Sequence, residues 1–124
     1  MTQPDELSPE PVLNLSELLA RVDNDSEFLR EVIGICKAEI PRYISLLREA
    51  VAQADMKNIE KLGHTVKGML LHLAATRAAA AAGRLEQLGR SGDTTTLRSA
   101  VAIFENEVAK LMTELEAHMA KIHP

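Results

Sequence analysis

The sequence predicts an all-α protein, an up-down four-helix bundle with an additional short N-terminal helix. Three observations carry this. Ala, Leu and Glu are abundant and only 6 of the 124 residues are Gly, a composition that favours helix. Apolar residues recur at i, i+3 and i+4 over long stretches divided by short turn signals. No run alternates apolar and polar residues as a half-buried strand would. Apolar residues make up 46% of the chain, enough for one domain with its own core. Aromatics are 2% and Trp is absent, so that core must be built from Leu, Ala, Val, Ile and Met.

Residues 1–12 hold Pro4, Pro9 and Pro11 among Asp5, Glu6 and Glu10 and read as a flexible acidic tail, with the bundle over 13–124. Asn14 and Glu17 form an N-cap and N3 pair for a short first helix, whose Leu15, Leu18, Leu19 and Val22 fall at helical spacing. The run Asp23-Asn24-Asp25 is a turn and the next cap. The second helix spans roughly 26–53, with Phe28, Val32, Ile35, Cys36, Tyr43, Leu46, Leu47 and Ala50 as its apolar stripe. Pro41 within it removes a backbone bond, so a kink or short break is expected there. Asp55 caps the third helix, whose inward positions are Ile59, Leu62, Val66, Met69, Leu70 and Leu73. Thr76 reads as the cap of the fourth, with Ala78, Ala81, Ala82, Leu85 and Leu88 inward and Gly89, Gly92 and Asp93 marking its end. The last helix, about 94–122, carries Leu97, Val101, Phe104, Val108, Leu111, Leu115 and Ile122 at a/d spacing. That seam fits a bundle core or a dimerising coiled coil, and one helix alone does not separate them. A monomer is the expectation.

Composition also limits function. The formal charge of −4 leaves no basic excess for nucleic acid. No apolar run is long enough to span a bilayer, and no signal peptide is visible, so no membrane partner is expected. The single Cys36 excludes an internal disulfide and fits a reducing compartment. A cytoplasmic protein is expected. His64 and His72 are eight residues apart, about 12 Å along a helix, so they do not share a metal, and His118 and His123 read as surface residues. No metal site is expected.

The chemistry concentrates in His64-Thr65-Val66-Lys67-Gly68. At about 100° per residue, His64 lies roughly opposite the apolar sector of the third helix. Lys57, Lys61, Gly68, Leu71 and Ala75 fall near it on the outer face, and Lys67 lies on the flank one turn on. Glycine inside a helix costs about 1 kcal/mol relative to alanine. At Gly68 that cost fits room for another protein's backbone, or close packing within the domain. If helices three and four form a hairpin turning near Ala75, His64 lies level with Glu86. A carboxylate there can accept the imidazole N–H and free the other nitrogen. Glu86 could equally be a surface residue paired with Arg90 at i+4. Because His64 points away from the core, the contact with Glu86 needs a long reach.

The run His64-Thr65-Val66-Lys67-Gly68, followed by Leu73 and then Leu85-Glu86, resembles the histidine phosphotransfer (HPt) family of two-component phosphorelays. The similarity extends over roughly 15–120 and includes the Asp-rich turn before the second helix and the proline within it. Many members carry glycine where Ala54 stands, before Asp55. The small residues usual after the Lys-Gly pair are here Met69, Leu70 and Leu71, and a usual glycine is Ala74. Histidine-kinase dimerisation domains instead place an acidic residue after the histidine and a proline five later, where this chain has Thr65 and Met69.

The resemblance implies that His64 accepts a phosphoryl group through Nε2, that Lys67 stabilises its charge, that Gly68 gives a partner access and that Glu86 holds Nδ1. It implies a stoichiometric carrier and not an enzyme, served by a response-regulator receiver domain or a hybrid histidine kinase. No cofactor is expected in this chain, Mg²⁺ being supplied by the receiver. Partner contacts are expected at Lys57, Lys61, Leu71 and Ala75. Leu71, bulky where the family is small, also suits an alternative: an HPt-like interaction module that binds a receiver or kinase without carrying phosphate.

Overall fold

Residues 11–122 are described by a computed structural model of the chain. Among these residues five helices follow in order: α1 (Leu15–Arg21), α2 (Ser26–Ala52), α3 (Met56–His72), α4 (Thr76–Ser91) and α5 (Leu97–Ile122). The caps stand where the sequence sets them. Asn14 accepts from the Glu17 amide at 3.1 Å, Asp25 from Phe28 at 3.1 Å and Asp55 from Asn58 at 3.2 Å. Thr76 is the exception. Ala75 holds the cap position of α4 and offers no side-chain bond, and Thr76 is the first helical residue. The last helix starts at Leu97 rather than 94, after a turn in which the Thr95 amide donates to Asp93 at 2.9 Å.

The four long helices close into a ring. α2 packs on α3 and α5, and α4 packs on α3 and α5. Their common interior is aliphatic apart from Phe104 and Cys36, with Leu29, Ile33, Ile59, Val66, Leu85, Leu111 and Leu115 among the fully buried side chains. α1 lies over the α3–α4 turn: the Asn14 amide donates to the Ala74 carbonyl at 3.2 Å, and the Arg21 guanidinium donates to the Leu71 carbonyl. The expected tail lies mostly outside the described residues. Val12, which was assigned to it, packs against the core. No helix among the described residues is long and apolar enough to cross a membrane.

The apolar stripe of α2 is displaced by one residue in its first half. Leu29, Ile33, Cys36 and Ile40 face the core, while Phe28 and Ile35 are 49% and 62% exposed. Both sets keep helical spacing and lie only ~100° apart, so periodicity does not choose between them. Cys36, Leu47 and Ala50 are buried as expected. α2 runs as one element through Pro41, without a break.

α3 and α4 form the tightest contact, and two glycines permit it. A β-carbon on Gly63 would come within 2.8 Å of the Glu86 amide nitrogen and 3.0 Å of the Ala82 carbonyl. One on Gly89 would meet the Met56 carbonyl at 2.7 Å. Gly89, expected in the turn, is therefore a buried packing residue within α4. A β-carbon on Gly68 would meet nothing within 4 Å.

The turns hold two alanines with left-handed backbone, Ala54 at φ 51° and Ala74 at φ 57°. Both stand where the resembling family usually has glycine, which adopts that conformation without a Cβ penalty.

Gly63→Ala is expected to destabilise the fold by about 1–3 kcal/mol in urea unfolding, because the clash is with backbone that cannot move aside. Gly68→Ala, in the same helix, is expected to be neutral or to stabilise by up to about 1 kcal/mol. Equal effects would contradict the packing described. Exposed Ala54→Gly is expected to stabilise by a few tenths to about 1 kcal/mol, read as a rise in thermal midpoint.

Candidate functional site

The antiparallel α3–α4 pair sets the site. Glu60 on α3 meets Arg90 on α4, His64 meets Glu86, and the Lys67 side chain passes Gly83, so the register read from the sequence holds over two turns. His64 Nδ1 lies 3.0 Å from Glu86 Oε2. The His64 side chain is 70% exposed and that of Glu86 only 8%. The long reach expected for this pair is not needed, because Gly63 and Gly89 bring the two backbones together.

Glu86 is the hub of the arrangement. Its Oε1 lies 2.7 Å from Lys67 Nζ. Its Oε2 accepts from His64 and also from Arg90 Nη2 at 3.1 Å. The sequence left two readings of Glu86 open, orienter or partner of Arg90, and the geometry contains both. The Lys67 ammonium holds the Glu86 carboxyl below its ordinary range, with the His64 bond adding in the same direction and burial opposing them. An ionised carboxylate only accepts hydrogen bonds. Nδ1 of His64 therefore carries the hydrogen, and in the neutral ring Nε2 keeps its lone pair. The result is a nucleophilic nitrogen on an exposed ring, with its far side fixed and a lysine one turn away.

The expected partner contacts separate. Lys57 and Lys61 line a shallow depression with Glu60, His64, Glu86 and Arg90. Leu71 is 45% exposed, farther along α3, where its carbonyl meets Arg21 of α1. Gly68 is open, as the wheel indicated. Ala75 is a correction: it is 0% exposed and belongs to the core. The wheel extended α3 to residue 75, but the helix ends at His72 and the chain reverses through left-handed Ala74. Among the described residues no group of three His, Cys, Asp or Glu side chains converges on a metal position. His123 lies outside them.

The packing role of Gly63 and Gly89 and the pairing of Glu60 with Arg90 are not foreseen in the sequence. Gly63 precedes His64 but was not given a role, and Gly89 was given to a turn. Glu60 and Arg90 obey the same register as His64 and Glu86, a signal that could have found them.

The Hpt domain family model matches residues 31–120. The chain belongs to the Hpt domain family. This family consists of phosphotransfer carriers of phosphorelays rather than enzymes with an ATP-binding domain. The fold of this Hpt domain is similar to the crystal structure of histidine-containing phosphotransfer protein B (HptB) from Pseudomonas aeruginosa PAO1, with a TM-score of 0.84 and 16% identity over 90% of this chain and 96% of that one. No curated protein sequence matches this Hpt domain.

The Glu86 shift has a definite sign. A carboxyl held low in the folded state contributes stability that is present above its unfolded pKa and lost as pH falls through its folded one. Wild type is expected to exceed Glu86→Gln in unfolding free energy at neutral pH. The gap is expected to close in acid, below the ordinary carboxylate range. Urea unfolding across pH checks this, and a gap that is constant or widens in acid would contradict it.

Proposed function

We propose that this Hpt domain is a stoichiometric phosphoryl carrier. His64 Nε2 accepts a phosphoryl group from a receiver-domain aspartate, or from a related kinase, and passes it on in a two-component phosphorelay. The observation that carries this reading is the 3.0 Å contact between His64 Nδ1 and a nearly buried carboxylate, on a ring that is itself 70% exposed.

In the forward step the Nε2 lone pair attacks phosphorus. The N–P bond forms as the aspartyl O–P bond breaks, and that electron pair returns to the aspartate carboxylate. The ring gains positive charge as Nε2 bonds, and Glu86, already accepting from Nδ1–H, stabilises it. Lys67 sits one turn from His64 and can turn its ammonium to the phosphoryl oxygens. Phosphoryl transfer depends mainly on such positioning and charge stabilisation, which suits a small domain with no ATP site of its own. Mg²⁺ belongs to the receiver side of the encounter.

The docking face of this reading is the outer side of α3. Lys57 and Lys61 frame the depression, open Gly68 admits the partner's backbone, and Leu71 supplies an apolar contact. The domain acts as a cytoplasmic monomer, an up-down four-helix bundle with α1 as the short N-terminal addition, Val12 at its edge and the acidic N-terminal stretch before that.

The test is incubation with a phosphorylated receiver domain and Mg²⁺. Wild type is expected to gain acid-labile phosphate and His64→Gln none. Lys67→Met is expected to slow uptake by roughly 100-fold, the scale of losing one charge-stabilising donor. Labelling of His64→Gln at the wild-type level would overturn the site. Receiver binding without any uptake would favour the interaction module that exposed Leu71 suits.

A further inference from the structure

Arg90 and Glu60 have no part in the transfer described above, yet both are tied to its centre. Arg90 stands on α4 one turn after Glu86, and Glu60 stands on α3 one turn before His64. Arg90 Nε donates to Glu60 Oε2 at 2.9 Å, and its Nη2 donates to Glu86 Oε2 at 3.1 Å. A guanidinium is planar and its donors form a rigid fork. Two bonds to carboxylates on two helices therefore fix its place. They also orient Glu86, whose Oε2 takes both Arg90 and His64 Nδ1 while Oε1 takes Lys67.

An arriving phosphoryl group disturbs this division. The Lys67 ammonium ends a flexible stem, and it cannot fully serve both Glu86 and the phosphoryl oxygens. When it turns outward, a carboxylate that is 8% exposed loses its closest cation. Leaving such a group uncompensated is costly. Beside the ring, which itself becomes positive, Arg90 is the cation that stays on Glu86, because its Nε is held by Glu60.

We infer that Arg90, anchored by Glu60, is a positioning residue that keeps Glu86 Oε2 on His64 Nδ1 and compensates that carboxylate while Lys67 turns to the phosphoryl group. The second half of this inference rests on the phosphoryl-carrier reading, and the first half does not. The Arg90 side chain is 63% exposed, and exposed ion pairs contribute little to stability. Substitution at Arg90 therefore leaves the fold in place and exposes the effect on the site.

The experiment reads the His64 ring nitrogens by ¹⁵N NMR in the unphosphorylated protein, beside phosphoryl uptake from a phosphorylated receiver with Mg²⁺. Wild type is expected to hold the Nδ1–H tautomer. Folded Arg90→Met is expected to show mixed tautomers and uptake slowed roughly 10-fold, the scale on which residues that orient a functional group act. Glu60→Gln is expected to shift the tautomer in the same direction by less. Arg90→Lys restores the charge without the fork and is expected to fall between Arg90→Met and wild type. An unchanged tautomer in folded Arg90→Met overturns the inference, whatever happens to the rate. The tautomer decides the positioning half of the inference even if wild type takes up no phosphate, a result that would defeat the carrier reading and with it the second half.

Discussion

A β-carbon on Gly63 would stand 2.8 Å from the Glu86 amide nitrogen, closer than β-carbons approach a backbone, so α3 and α4 touch as they do only because residue 63 has no side chain. Gly89 meets the same need against Met56 and Glu60. Each glycine forfeits about 1 kcal/mol of helix propensity. In return the glutamate beside Gly63 emerges at the seam of the two helices, next to His64. From there its carboxylate reaches an imidazole that the helix wheel directs to solvent. The caps, the turns and the aliphatic core hold α3 and α4 in register, and the glycines set how near they come.

That closeness gives Glu86 its environment. Nearly buried, it meets three cationic or potentially cationic groups, His64, Lys67 and Arg90, from two helices. Each has a different freedom. His64 is held by one nitrogen and open at the other, Lys67 is long and flexible, and Arg90 is clamped by Glu60. A carboxylate in that position suits a ring that becomes more positive as it takes up a phosphoryl group. The exposed side of the ring, which the proposed function assigns to the partner, lies between Lys57 and Lys61 on one flank and open Gly68 on the other.

The geometry of the candidate site was more legible in the sequence than the packing around it. Asn14, Asp25 and Asp55 announce their helices because side-chain capping is local chemistry. The pairing of His64 with Glu86 was legible because a short turn between antiparallel helices fixes which residues lie level. The distance between them was not, since it depends on glycines meeting a neighbour's backbone, which a wheel drawn on one helix cannot register. Ala75 went astray for a related reason: the wheel continued past His72, where left-handed Ala74 reverses the chain. Phe28 and Ile35 lost their core places to Leu29 and Ile33 because α2 carries two adjacent apolar stripes. Which stripe faces inward is decided by the helices around it.

The central claim is that Glu86 commits Nδ1 and leaves Nε2 to carry phosphate. ¹⁵N–³¹P coupling in the phosphorylated, ¹⁵N-histidine-labelled protein tests it most directly, because it identifies the atom bonded to phosphorus. The account predicts a single phosphohistidine, at His64, with phosphorus on Nε2 and hydrogen still on Nδ1. Phosphorus bonded to Nδ1 of His64, or found on His72 or His118 instead, would contradict it.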